Sequence, residues 1–414
     1  MRKFGFALLA SLAVAGGVAV VSARAKDTSF ATIERGRHLA DAADCAACHT
    51  AKDGKPFAGG EPVPTPFGSI QAPNITPDRE TGIGAWTDAE FYRALHDGVG
   101  PHGERFYPAF PYPYYTKMTR DDVLAIRAYL NTIPPVKYEA HGNHIAWPLR
   151  YRVFMRGWNL AFFDRGTFQP DPNKSAEWNR GAYLVEGAGH CGACHTPKNV
   201  LGGDKTSENL RGATLDNWFA PDITNDAREG LGAWSAADIA EYLATGRNKY
   251  NAAAGEMAEV VKDSTSKVPA ADLHAIAVYL KSLEGAPSSA PPTPLKQDDK
   301  MMVAGRAIYA DSCAACHEAD GKGVSQIFPP LERNASVQAH DPTTLIRVIL
   351  QGANTPATDK RPTPFAMPAY NWKLKDDEIA AVITYIRNSW GNAAPAVTAK
   401  QVSDLRAHLL PPTQ

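Results

Sequence analysis

Cysteine is scarce in this 414-residue chain, and none of the six is a spare. There is no basic excess either: 43 lysines and arginines stand against 44 acidic residues, a formal charge of -1, which removes the electrostatic footprint of a nucleic-acid binder. Beyond Val21 no apolar run is long enough to cross a bilayer, and a mean hydropathy of -0.31 suits a water-soluble mature chain. Methionine is rare as well. Apart from Met1 there are only Met118, Met155, Met257, Met301, Met302 and Met367, so any role that needs a thioether has few candidates.

The one long apolar run lies at the N-terminus. Met1-Arg2-Lys3 precedes Phe4 to Val21, and Ala23-Arg24-Ala25 follows, the order of a secretory signal with a small-residue cleavage site. Residues 1–25 are therefore expected to be a signal peptide cut before Lys26, the alternative being an uncleaved anchor. The mature chain then belongs in a bacterial periplasm.

All six cysteines fall into three copies of one pentapeptide: Cys45-Ala46-Ala47-Cys48-His49, Cys191-Gly192-Ala193-Cys194-His195 and Cys313-Ala314-Ala315-Cys316-His317. Composition alone would yield roughly 0.0025 such motifs in the chain, so three exclude chance. C-x-x-C-H is the attachment motif of haem c: two thiols add to the two vinyl groups, and the adjacent histidine supplies the proximal nitrogen to iron. Disulfides or zinc sites would not explain a histidine directly after the second cysteine every time, and each Cys2His set would lack a fourth zinc ligand. Three covalently bound haem c groups are expected.

The rest of the chain repeats around these motifs. A helical pattern with Gly36, Gly181 or Gly305 precedes each, and glycine there lets two helices cross closely. Each unit closes on another helix, Asp122 to Leu130, Asp272 to Leu280 and Glu378 to Ile386, with one apolar face and an acid at its start. These stripes read as core. Units one and two also share Pro73-Asn74-Ile75-Thr76 to Trp86 and Pro221-Asp222-Ile223-Thr224 to Trp234, which unit three lacks. A proline carbonyl, of Pro73, Pro221 or Pro330, is a candidate acceptor for each proximal imidazole N–H.

The resulting expectation is an all-α protein of three tandem class I cytochrome c domains, residues 26–135, 175–284 and 300–393. A connector at 136–174 is too aromatic to be a free linker, 285–299 is a Pro/Ser/Ala linker, and 394–414 is a tail with Val402, Leu405 and Leu409 on one helical face. Thioethers raise the reduction potential relative to a second imidazole, so methionines are the expected sixth ligands. Met367 in Ala366-Met367-Pro368 and Met257 in Glu256-Met257-Ala258 fit units three and two. In unit one, phenylalanine stands where that alignment puts the ligand, in Phe110-Pro111-Tyr112. Met118 is the candidate there, with His96, His102 and an open iron as alternatives, and a core side chain equivalent to Leu374 as its bland reading.

These residues carry a resemblance over nearly the whole mature chain. The three motifs, Tyr107-Pro108-Ala109-Phe110-Pro111-Tyr112, Arg180-Gly181-Ala182-Tyr183-Leu184-Val185-Glu186 and Met257-Ala258-Glu259-Val260 resemble the cytochrome c subunits of membrane-bound alcohol, gluconate, sorbitol and aldehyde dehydrogenases of acetic acid bacteria and their relatives. The resemblance implies a chain that is not itself an enzyme, with no catalytic residue. It would take electrons from a dehydrogenase catalytic subunit, possibly accompanied by a small iron–sulfur subunit, and deliver them to membrane ubiquinone while peripherally attached to the outer face of the cytoplasmic membrane. Phe110-Pro111-Tyr112 in place of the usual Met-Pro-Tyr looks more like the partner of a molybdopterin aldehyde dehydrogenase than of a PQQ alcohol or flavin polyol dehydrogenase. A soluble electron shuttle and a haem peroxidase with an open unit-one iron are the other classes.

Overall fold

The computed structural model describes residues 28–286 and 292–409. Residues 1–25, expected to be a signal peptide, and part of the 285–299 segment expected to be a linker lie outside these. Unit one contains α1 (Phe30–Ala42), α2 (Cys45–His49), β1 (Pro62–Thr65), β2 (Gly68–Gln71), α3 (Asp88–Asp97), α4 (Tyr112–Tyr115) and α5 (Arg120–Leu130). The connector adds β3 (His144–Ile145) and α6 (Phe154–Phe162). Unit two has α7 (Ala176–Tyr183), which runs into a π-helical turn at Leu184–Ala188, then α8 (Gly192–His195), β4 (Arg211–Leu215), β5 (Trp218–Asp222), α9 (Ala236–Thr245), α10 (Glu256–Asp263) and α11 (Ala270–Ser282). Unit three has α12 (Lys300–Ser312), α13 (Ala314–His317), α14 (Ala335–Gln338), α15 (Thr343–Gln351), β6 (Ala353–Asn354), β7 (Ala366–Met367) and α16 (Asp376–Arg387), and α17 (Ala399–His408) follows.

The all-α expectation is overturned. Among the described residues three small antiparallel sheets accompany the helices: β1-β2-β3, β4-β5 and β6-β7. None of their strands exceeds five residues, too few for a two-residue alternation to stand out, and β3 joins β2 from a distant part of the chain. In units one and two they close the excursion between the C-x-x-C-H motif and the middle helix, whereas in unit three β6-β7 closes the loop between α15 and α16. Asp216 and Asn217, both at positive φ, turn the β4-β5 hairpin as short polar side chains can.

Each unit is organised by one helix crossing, α1 on α5, α7 on α11 and α12 on α16. The glycines make it possible: a Cβ on Gly36 would lie 1.9 Å from the Ala125 carbonyl oxygen, on Gly181 2.0 Å from that of Ala275, and on Gly305 2.2 Å from that of Ala381. In units one and two the residue before the glycine then ion-pairs with the acid at the start of the closing helix, Arg35 with Asp122 at 2.6 Å and Arg180 with Asp272 at 2.7 Å. Thr87 with Glu90 and Ser235 with Asp238 form matching capping boxes at the starts of α3 and α9.

Units one and two share a single apolar core, in which Leu39, Met118, Val123 and Ile126 join Leu184, Leu273 and Leu280. Tyr183 of unit two donates to Asp122 and accepts from the Thr119 amide of unit one. Unit three builds its own core, into which α17 inserts Val402 and Leu405. The stripe of the C-terminal tail is thus internal packing, locked by Arg406 on Asp376 at 2.7 Å. The junction between units two and three is polar: Glu241 pairs with Arg361 at 2.9 Å, Glu229 with His340 at 3.1 Å, and the Phe219 backbone exchanges two hydrogen bonds with Thr344.

Candidate haem-binding sites

The three motifs fold alike. Each ends in a one-turn helix whose histidine is its last residue, with the first cysteine partly covered and the second exposed. None of the six cysteines is in a disulfide. Burial pushes the thiols up, to about 12 for Cys45 and Cys191 and about 11 for Cys48 and Cys313, and it raises Cys194 as well.

The imidazoles are oriented from behind. His49 Nδ1 donates to the Pro73 carbonyl at 2.6 Å and His195 Nδ1 to that of Pro221 at 2.7 Å. In unit three the acceptor is Pro329, at 3.0 Å from His317, rather than Pro330. The loop carrying Pro329 leaves the motif by a shorter path, 12 residues against 24 and 26, so the alignment on the second proline is one residue out. Burial holds all three histidines below their ordinary value, against the opposing pull of the carbonyl. A neutral ring with Nδ1–H committed leaves the Nε2 lone pair free, the form that binds iron.

This donor set fits haem c. Each motif offers two thiols and one imidazole from a single turn of helix, one donor short of a four-coordinate zinc site, and no group of three or more His, Cys, Asp and Glu that could hold a metal ion occurs among the described residues. Haem c, when bound, supplies one-electron chemistry by cycling between ferric and ferrous iron.

The structure brings motifs one and two together. The Tyr115 ring lies 5.7 Å from that of His190, the residue before Cys191, and the Tyr115 hydroxyl donates to Ala43 two residues before Cys45. His190 Nε2 is itself 3.4 Å from the Ala43 carbonyl. Tyr114 covers Gly192, where a Cβ would meet its ring at 3.0 Å. The aromatic pair Tyr114-Tyr115, which composition and spacing did not single out, forms the wall between the two motifs. In unit three Tyr370 donates to Ser312 beside Cys313, a counterpart of Tyr115.

The methionines separate into two groups. Met257, at the start of α10, and Met367, in β7, are partly exposed. Met118 is fully buried in the core common to units one and two. His96 is buried, bonded to Asp97 at 2.6 Å and stacked on Tyr92 at 4.9 Å, while His102 is exposed on a turn. Met155, which sequence reasoning did not put forward, is buried on the inner side of α6.

Comparison with known proteins agrees with this chemistry. A cytochrome c family model matches residues 33–134 and 302–390. The chain is 42% identical over 417 residues to the gluconate 2-dehydrogenase cytochrome c subunit of Pantoea cypripedii, covering 95% of this chain and 94% of the relative. It is 40% identical to the cytochrome c subunit of the quinone alcohol dehydrogenase of Gluconacetobacter polyoxogenes, over 97% of this chain and 88% of that one. The cytochrome subunit of fructose dehydrogenase from Gluconobacter japonicus is 36% identical, over 91% and 83%.

Proposed function

This chain belongs to the cytochrome c family, as an electron-transfer subunit of dehydrogenase complexes, and we propose that it carries three covalent haem c groups and relays electrons from a catalytic subunit to membrane ubiquinone. The observation that carries this reading is the threefold recurrence of one arrangement: paired thiols, a neutral imidazole, and a proline carbonyl behind it. Cys45, Cys48, Cys191, Cys194, Cys313 and Cys316 hold the haems. His49, His195 and His317 are the proximal ligands, and Met257 and Met367 the distal donors of units two and three. The mature chain acts in the periplasm, at the outer face of the cytoplasmic membrane, a reading supported by the signal-like order of residues 1–25.

Abutting motifs in units one and two support a fixed relay, with the short-range path that electron transfer requires. Unit three, joined through hydrogen bonds and ion pairs, is the arm that can adjust to a partner. The favoured partner is a molybdopterin aldehyde dehydrogenase, on the strength of Phe110-Pro111-Tyr112. The 42% identity to a gluconate 2-dehydrogenase subunit supports a second reading, a partner that oxidises a sugar acid or an alcohol.

The test is purification from membranes. We expect three haems per chain after acid-acetone extraction, a large dehydrogenase subunit in the complex, and reduction of ubiquinone when its substrate is added. Molybdenum, PQQ or flavin in that complex identifies the partner. A lone protein with fewer than three haems, or one that reduces no quinone with its partner, sinks the proposal.

A further inference from the structure

We infer that the outer face of α6, together with the adjoining turn at residues 199–203, is the surface by which this chain lies on an anionic phospholipid membrane. The inference rests on the reading that the chain works at the membrane, and it names the part of the molecule that touches lipid. Half of the large apolar side chains left exposed among the described residues fall within 147–160 and 200–201. On α6 the ordinary arrangement of a surface helix is reversed. Polar anchors point inward: Arg152, just before the helix, donates to the Arg105 carbonyl at 2.6 Å and lies over the Tyr107 ring at 4.8 Å, and Asn159 pairs with the Tyr112 hydroxyl at 2.5 Å. The opposite face, at three- and four-residue spacing, is Val153, Phe154, Gly157, Leu160 and Ala161, with Val153 63% and Leu160 91% exposed.

A second element extends this face. The Trp158 indole donates to the Leu201 carbonyl at 2.9 Å, and Gly203 lies against the Phe162 ring, so the turn at 199–203 runs along one flank of α6. The turn is a built one. Asn199 Oδ1 accepts from the Leu201 and Gly203 amides at 2.9 and 3.1 Å, and Gly202 takes the positive φ that the reversal needs. What it holds out to water is Val200, 91% exposed, and Leu201, 58% exposed. Side chains fixed there by their own backbone do not collapse onto the protein, and a contiguous apolar surface of this kind marks a docking face.

Chemistry decides what covers it. The crest of α6 carries no side-chain donor or acceptor, which favours an apolar medium over a protein partner that is told apart by directional bonds. Trp147 and Tyr151, both exposed just before the helix, are the amphipathic rings that settle at headgroup depth. Charge points the same way. From residue 140 to 163 the chain holds Arg150, Arg152 and Arg156 and no acid, although the whole sequence is balanced at -1. Arg156 flanks the crest, exposed and in no ion pair among the described residues, and Arg150 lies over the Tyr151 ring at 5.1 Å. An apolar crest with aromatic and arginine flanks is the pattern of a helix lying in the interface of an anionic bilayer. None of the helices is long and apolar enough to cross one, among the described residues, so this face would rest in the surface layer.

The experiment floats the matured full chain, freed of detergent, with vesicles of phosphatidylcholine and phosphatidylglycerol, and repeats this with phosphatidylcholine alone. The parent should bind the mixed vesicles and bind the neutral ones more weakly. Leu160→Glu, and separately Val200→Ser with Leu201→Ser, should each weaken binding to the mixed vesicles by about tenfold, with the haem spectrum unchanged because these side chains are already in water. Arg156→Gln should cost about fivefold on mixed vesicles and little on neutral ones. Phe30→Ser, at an equally exposed apolar position on α1, should change nothing. A parent that does not float, or Leu160→Glu and the Val200–Leu201 double change floating like the parent, overturns the inference. So does loss of the dehydrogenase catalytic subunit from Leu160→Glu with vesicle binding intact, which would make the face a protein interface. Haem count, and quinone reduction by the detergent-solubilised complex, judge the relay itself; neither depends on flotation, so the two readings fail separately.

Discussion

Adding one methyl group at the α12–α16 crossing should loosen unit three and little else. In Gly305→Ala the new Cβ would lie 2.2 Å from the Ala381 carbonyl oxygen and 2.6 Å from Tyr385 Cβ, where ordinary contact begins at 3.4 Å. The helices must part by about 1.2 Å, the difference between 3.4 and 2.2, and the obstacle is backbone that cannot swing aside. Overpacking of this kind costs about 3 kcal/mol at the upper end of its range. Replacing a helical glycine by alanine returns about 0.5–1 kcal/mol through the unfolded chain. The net loss is about 2 kcal/mol, roughly a 30-fold rise in the open fraction. Amide hydrogen exchange in α12 and α16 reads this directly and keeps the units separate, which a single melting curve of a three-unit chain does not. Gly157→Ala is the control: it lies within α6 with no atom inside 4 Å of the added Cβ, and it should stabilise α6 by about 0.5–1 kcal/mol. If Gly305→Ala exchanges like the parent, the close crossing is not what holds the unit together.

Burial raises the Asp44 carboxyl to about 7, with the charges of Asp263 and Glu259 from unit two adding to it. Because this folded value lies above the unfolded one, the contribution to stability is complete below pH 4 and is lost as pH rises through about 7. Asp44→Asn, which tolerates the left-handed backbone at φ 50, should therefore flatten the pH dependence of urea unfolding between pH 4 and 7 and be the more stable form at pH 8; parallel curves for the two proteins would contradict this. His340 is raised by its hydrogen bond to Glu229, so the tie between units two and three is fully present below about pH 6.5 and fades as pH climbs through the raised value. Proteolysis at residues 284–299 should accelerate across that window in the parent and not in His340→Gln. Replacing Cys191 and Cys194 together by alanine should remove one haem of three and, through the shared core, also loosen α5 of unit one, read as faster amide exchange there; α16 should be unaffected.

Much of this protein is written locally. Five consecutive residues spell each proposed attachment site, because both thiols and the imidazole must reach one macrocycle from one turn of helix, and the motif is legible three times without any fold. The glycines of the crossings and the acids leading the closing helices are equally local, so the repeat and the faces it buries were readable from spacing. Relations between distant residues were not. The hairpins are two to five residues long and leave no periodic trace. The acceptor behind His317 shifted by one proline because a loop length, not a motif, sets it. The stripe Val402, Leu405, Leu409 looks the same in sequence whether a partner, a membrane or its own unit covers it, and only packing against α15 and α16 decided. Met118 and Met155 differ by nothing that composition can express. Which of them enters a core and which lies along residues 105–112 depends on the side of α6 that meets Arg105, Tyr107 and Tyr112, some 40 to 50 positions away, and such pairings are settled only when the chain closes on itself.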